Sequence, residues 1–333
     1  MMKRSKILPS AGKKIVLVFA LVLNLFAKDE QKIVIAGPIA SVSHPILKMV
    51  EDKVLESLGK KLEFRLWNNP DELRALILKK EVDFIALPTN VAANLYNKGV
   101  ELKLLNVSVW GILELVSRDS SLKTVEDFKN KEIIVPFRAD MPDIVLQALI
   151  KKAGFDVKKD FNLKYVSTPV DAMQMLILRR ADYALLAEPA VSIALRKTGS
   201  FPVKLIAPDI YRSLNLQEEW GRLFKVEAKI PQAGLAVIGE TKGKEELISK
   251  VLEEYEKALN WYKANPKEAS QLVVKTLPML EEEGLADSIE HVKFANISAE
   301  NSKKDLEFFF EVLKDNDSKL IGGKLPNEGF YFK

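Results

Sequence analysis

The sequence predicts an α/β protein built as two similar lobes, and three observations carry that prediction. The first is a repeat. Residues 62–98 (LEFRLWNNPDELRALILKKEVDFIALPTNVAANLYNK) lie without a gap over residues 161–197 (FNLKYVSTPVDAMQMLILRRADYALLAEPAVSIALRK), at an offset of 99. Identities are few (Pro70 with Pro169, Asp83 with Asp182, Leu87 with Leu186, Lys98 with Lys197). The pattern is shared: strand, Pro-opened amphipathic helix, basic pair, small-Asp-aromatic step, apolar strand, and a second helix beside a proline. The second observation is the alternation of short apolar strands with helices, which favours mainly parallel sheets covered on both faces. The third is a pair of apolar runs, residues 102–117 (LKLLNVSVWGILELVS) and 232–239 (QAGLAVIG), each suited to crossing between lobes.

In chain order, residues 32–36 (KIVIA) read as a buried strand and 37–43 as a small, polar loop. Residues 45–58 read as an amphipathic helix with Ile46, Leu47, Val50, Val54 and Leu55 on one face. The corresponding stretch of the second half is the strand 132–136 (EIIVP), the loop 137–141 and a helix 142–153 stopped at Gly154. Between the halves, Thr124-Val125-Glu126-Asp127 forms a capping box for a short helix. Residues 217–229 read as a charged loop, and everything after the second crossing as helical: 244–263, 266–275, 278–283 and 299–314. Two crossings make the first lobe discontinuous, residues 28–112 plus 236–333, with 113–235 inserted as the second lobe. In such sheets ligands sit beyond the carboxyl ends of the strands.

Of the 333 residues, the first 27 carry Lys3, Arg4, Lys6, Lys13 and Lys14, no acid, and then an apolar run from residue 15. This is the layout of a Sec-type signal peptide, too short for an ordinary membrane span of roughly 20 residues. Cleavage is expected after Ala27, with an N-terminally tethered chain as the alternative. Removing the five leader cations takes the formal net charge from +4 to −1, and no basic run interleaved with aromatics remains, so nucleic-acid binding has no support. The absence of cysteine excludes disulfides, thiolate metal sites, a cysteine nucleophile and a lipidated N-terminal cysteine. A periplasmic location is the expectation.

The leader, ALPTNVAANLYNKG (86–99), ADYALLAEP (181–189) and WGRLF…IPQAGLAV (220–237) together resemble the periplasmic substrate-binding proteins of ABC importers, in the branch for nitrate, taurine, sulfonate and thiamine-pyrimidine uptake. The resemblance covers nearly the whole mature chain through diffuse strand-loop-helix joints. It implies a type II periplasmic-binding fold, with two crossover strands, a ligand cleft and hinge-like closure. It also implies a monomer whose partners are a small-molecule ligand, a membrane permease and that permease's ATPase subunit, and which meets the membrane only through the permease.

Four joints are candidate ligand contacts, because a helix start presents free backbone N–H groups to acceptor or anionic atoms. The first offers the hydroxyls of Ser41 and Ser43, one of which can equally cap the helix at Pro45. The second is Pro88-Thr89-Asn90, where small residues follow and Thr89 and Asn90 can cap the helix and touch a ligand; the resemblance points to this joint too. The third is Phe137-Arg138-Ala139-Asp140-Met141, where relatives carry a Gly- and Thr-containing loop. Here Arg138 can fork onto an anion, Phe137 can stack and Met141 can pack, or Arg138 and Asp140 can simply pair at the surface. The fourth is Glu188, the repeat partner of Thr89, which can accept from a ligand N–H or be solvated before a helix starting at Pro189. Trp110 and Gly111 on the first crossing and Gln232 on the second are weaker contacts, as are Trp67 and Asn68 at the end of a strand of the repeat; Trp220, Trp261 and residues 308–310 are core aromatics.

Only His44 and His291 occur, and neither has a catalytic or metal motif around it. No GxSxG, P-loop or GxGxxG is present, so neither metal nor cofactor is expected. The function expected is a non-enzymatic receptor that captures a small polar molecule, such as a sulfonate, nitrate or pyrimidine, for an ABC permease. The alternatives are an enzyme on the same fold, of the menaquinone- or thiamine-pyrimidine-synthesis type, and a sensor that presents its ligand to a membrane receptor.

Overall fold

The computed structural model describes residues 31–206 and 209–333, so the expected leader and its cleavage point lie outside the described residues. Among the described residues twelve strands form two sheets. They are β1 (Gln31–Gly37), β2 (Lys60–Leu66), β3 (Phe84–Pro88), β4 (Leu102–Leu104), β5 (Asn106–Gly111), β6 (Leu113–Ser117), β7 (Glu132–Pro136), β8 (Asn162–Val166), β9 (Tyr183–Ala187), β10 (Tyr211–Asn215), β11 (Ala233–Ile238) and β12 (Lys293–Ser298). The first sheet runs β12-β5-β11-β3-β1-β2, with β4 also paired to β11; the second runs β10-β6-β9-β7-β8.

The repeat is visible in the ladders. β1 pairs in parallel with both β2 and β3, and β7 does the same with β8 and β9. An antiparallel strand from beyond the repeat then adds to each: β11 to β3, and β6 to β9. This mixed α/β architecture of two sheets is the expected fold class. The chain leaves the first sheet between Gly111 and Leu113 and re-enters it at Ala233, three residues before the expected change of lobe at 236.

Alternation along the strands explains how one sheet is buried twice. Ile133 and Val135 on β7 face the larger core, whereas Ile134 faces a second cluster with Ala184 and Leu186 of β9, Val116 of β6 and Leu176. Each such buried aliphatic side chain contributes about 1.5–3 kcal/mol by leaving water. Helices cover the remaining faces.

Several elements differ from expectation for identifiable reasons. The helix after β1 spans only His44–Glu51, because Lys53 adopts a left-handed φ of 52° and turns the chain into a short 3-10 turn at Glu56–Leu58. The run 102–117 is three strands, not one. At its break Ile112 accepts from Glu188 N–H (3.0 Å) and Leu113 N–H donates to Gln217 Oε1 (3.1 Å), fastening the crossing to residues that follow β9 and β10 of the second sheet. Residues 217–229 are not all loop: Leu216–Phe224 is a helix capped by Asn215, whose Oδ1 accepts from the N–H groups of Gln217 and Glu218 (both 3.0 Å). The C-terminal region is not all helix either. β12 sits between Glu282–Ser288 and Lys303–Asn316, completing the first sheet beside β5. Thr124 does form the capping box, on a 3-10 turn at Val125–Phe128.

Candidate functional site

A cavity of about 140 Å³ lies where the carboxyl ends of the strands of both sheets converge. The first sheet's side contributes Pro38, Ile39, Ala40 and Val42 after β1, Trp67 and Asn68 after β2, and Pro88 at the end of β3. Opposite stand Pro136, Phe137, Asp140, Met141 and Pro142 after β7, Pro169 after β8, and Ala187 at the end of β9. The crossings form the back, through Val109, Ile112, Leu113, Gln232 and Ala233. The placement is the one open α/β sheets favour for ligands. Its chemistry is apolar, with Asp140 the single lining residue of formal charge.

Local geometry fixes the walls. Trp67 is buried, and its indole N–H donates to the Ala86 carbonyl (3.3 Å), which holds the ring against the end of β3. His44 supports Ile39, whose carbonyl lies 3.0 Å from His44 Nε2. Phe137 and Ala139 both take left-handed φ values, 55° and 61°, a conformation that costs a side-chain-bearing residue energy and re-aims this loop toward the cavity. Asp140 then caps the helix Met141–Lys152, accepting from Met141 N–H (2.8 Å). Burial pushes its carboxyl pKa up, opposed by that same hydrogen bond.

The expected contacts fall into three groups. Pro88, Phe137 and Met141 line the cavity, as do Trp67, Asn68 and Gln232. Ser41, Ser43, Thr89, Asn90 and Gly111 are buried close to its walls but are not lining residues. Ser43 packs where Gly37 has no side chain, since a Cβ there would stand 2.3 Å from its Oγ; the hydroxyls of Ser41 and Ser43 have no partner among the described residues. Thr89 does not cap its helix: its hydroxyl donates to the Pro231 carbonyl and its N–H to the Gln232 carbonyl (3.0 Å). Gly111 leaves room for Gln217, whose Cγ would lie 2.5 Å from an added Cβ.

Two charged candidates face elsewhere. Arg138 lies over the Tyr165 ring (5.1 Å to the centroid) and lines a neighbouring cavity of about 450 Å³, which Asn90 and Asp140 also border. It does not pair with Asp140, whose bond is to Met141. Glu188 is buried and consumed internally, bonded by Arg212 and by the Ser192 hydroxyl (3.2 Å) and N–H (3.1 Å). It presents no free carboxylate to the cleft. Its helix spans Ala190–Gly199, with Pro189 as the cap rather than the first helical position.

The helix starts offer fewer free donors than expected. The helices after β1, β2, β7 and β8 carry proline in their first turn, which removes an N–H outright. Others are taken by the chain itself: Asp71 and Glu72 N–H by Asn69 Oδ1, Met141 N–H by Asp140, Asp171 N–H by Thr168 Oγ1, and Ser192 N–H by Glu188. The feature the sequence marked only weakly is Gln232. It is 2% exposed, lines the cavity, and neither atom of its side-chain amide has a hydrogen-bond partner among the described residues. Its position on a crossing was the sole signal in the sequence; the unpaired amide is a property of the folded chain.

No family model and no curated protein matches the sequence. Solved structures do. An ABC transporter protein from Parabacteroides distasonis has 23% identity over 91% of this chain and 99% of its own, with a TM-score of 0.74. The periplasmic aliphatic sulphonate binding protein SsuA of Escherichia coli has 16% identity over 91% and 92%, with a TM-score of 0.69. The periplasmic nitrate-binding protein NrtA of Synechocystis PCC 6803 has 13% identity over 77% and 69%, with a TM-score of 0.60. The chain has the two-sheet α/β fold of these periplasmic binding proteins.

Proposed function

We propose that the protein is an extracytoplasmic solute receptor that captures one small molecule between its lobes and delivers it to an ABC permease and its ATPase subunit. The observation that carries this reading is the cavity of about 140 Å³ at the convergence of strand ends from both sheets, walled by side chains of both lobes and both crossings. A site shared by two lobes couples ligand binding to their relative position, which is how a receptor signals occupancy to a transporter. The fold shared with the sulphonate- and nitrate-binding proteins supports the same role. No helix among the described residues is long and apolar enough to cross a membrane, so the permease is the proposed link to the bilayer.

The test is a thermal-shift screen of the purified protein over sulfonates, nitrate, pyrimidines, amides, amino acids and vitamins. A ligand at 100 times its dissociation constant stabilises by about 2.7 kcal/mol, a readily measured rise in melting midpoint. The expected outcome is a saturable shift with a compound that is recovered chemically unchanged. Conversion of that compound to a product would replace the receptor reading with the enzyme one.

A further inference from the structure

Gln232 is the observation that goes furthest. Buried polar groups are paired in the great majority of cases, and leaving one unpaired costs about 1–3 kcal/mol. Here both halves of a buried amide, donor and acceptor, lack a partner among the described residues, and the residue that carries them lines the cavity. The residue is also held in place. Its N–H donates to the Val109 carbonyl (3.0 Å), its carbonyl accepts from Thr89 N–H (3.0 Å), and the Thr89 hydroxyl bonds the preceding carbonyl of Pro231. Thr89 is thus a positioning residue for Gln232.

We infer that the cavity selects an uncharged ring of about benzene size, whose edge carries an N–H donor beside a carbonyl acceptor, as in a carboxamide or a lactam, and that Gln232 reads this edge. The inference rests on the receptor reading and specifies its ligand. Size follows from volume: an apolar cavity of about 150 Å³ accommodates benzene, and this one is about 140 Å³. Shape follows from the two aromatic rings in the lining, those of Trp67 and Phe137. The absence of charge follows from the lining, where the one charged group is the carboxyl of Asp140, and from the helix starts after β2, β7 and β8, where some donors are already bonded and others replaced by proline. A small anion would meet a carboxyl and no lining cation.

The experiment measures affinities of benzamide, 2-pyridone, benzenesulfonate, taurine and nitrate by calorimetry and tryptophan fluorescence. Benzamide or 2-pyridone is expected to bind at least ten-fold more tightly than benzenesulfonate, which matches the ring and differs in its anionic group. Gln232→Met keeps the length and removes both amide atoms. It should weaken the amide ligand at least ten-fold while leaving the ligand-free melting midpoint equal to or above that of the parent, because an unpaired buried amide is gone. Should Gln232→Met fail to fold, Gln232→Glu, which keeps the shape and loses the donor, carries the same expectation for affinity. Tighter binding of any of the three anions, or an amide affinity unchanged in the variant, overturns the inference and leaves the receptor reading standing. Failure of both amides to bind at millimolar concentration overturns it as well, and the broader screen then decides the receptor reading separately.

Discussion

His44 and Glu114 are buried groups whose charge the fold suppresses, and they pull stability in opposite directions as pH changes. The Ile39 carbonyl can only accept, so His44 Nε2 carries the proton and Nδ1 accepts from the Tyr262 hydroxyl (2.8 Å). Burial lowers this imidazole's pKa to about 4, with the Ile39 bond opposing. Below pH ~6.5 the unfolded chain takes up a proton that the folded one refuses, so this contribution, about 3 kcal/mol, is lost as pH falls toward 4. Glu114 has the reverse sign. Burial pushes its carboxyl up to about 7, against Arg212 and the Asn215 amide, which donates to it at 2.7 Å. Its contribution is whole below the unfolded carboxylate range and is lost as pH rises through 7. Glu114→Gln keeps an acceptor for Asn215 and should abolish that loss, raising stability at pH 8 by about 2–3 kcal/mol relative to pH 5 when compared with the parent. Urea unfolding at both pH values measures it, and an unchanged pH difference in the variant would refute the assignment. At this scale the sequence was legible for position more than for role. Strand-to-helix joints marked where the cavity lies, but Arg138 and Glu188 stood out by charge, and their actual partners, the Tyr165 ring and Arg212, come from other strands and are invisible in local sequence.

The elements were legible where period and caps agreed, and missed where packing decided. The repeat located the six strands β1, β2, β3, β7, β8 and β9, because buried strands with Pro-opened helices leave a strong pattern. β10, β12 and the helix Leu216–Phe224 escaped because their residues are half polar: Tyr211-Arg212-Ser213-Leu214-Asn215 becomes a strand only by pairing with β6. The second crossing shows how one residue can decide an element. At Gly234 an added Cβ would stand 1.9 Å from the Asn106 carbonyl oxygen, a backbone atom with little room to yield. The Asn106 side chain meanwhile accepts from Leu235 N–H (2.7 Å) and donates to Asn296 (2.7 Å), tying β5 to both neighbours. Overpacking usually costs about 1–3 kcal/mol. Because here a strand must move, Gly234→Ala is expected to reach or exceed the top of that range in urea unfolding. A loss under about 1 kcal/mol would mean that β11 and β5 separate freely.

Across the whole molecule the question is whether two lobes unfold as one body or two. Chains of this size with two sheets often lose all-or-none behaviour, yet the larger apolar cluster takes in strands of both sheets without interruption. A chain of ring contacts makes the link concrete. On the helix that follows β10, Phe224 meets Trp220, and Trp220 meets Phe309 of the C-terminal helix Lys303–Asn316 (5.7 Å); Phe309 meets Phe310, Phe310 meets Phe330, and Phe330 meets Tyr96 on the helix after β3. On the other flank Arg196 forms a two-pronged ion pair with Asp287 (2.8 and 3.1 Å). Both groups are well exposed, so this pair contributes about 1 kcal/mol at most, and the aromatic chain dominates. The parent is therefore expected to unfold in one transition, with circular dichroism and tryptophan fluorescence superimposing. Trp220 is 1% exposed, and Trp220→Ala should cost about 3–5 kcal/mol and cut the chain at its central link. The two probes should then separate, with the second lobe melting first, because the first keeps the larger sheet and the C-terminal helices. Coincident transitions in the variant would place the coupling between lobes in the crossing strands instead.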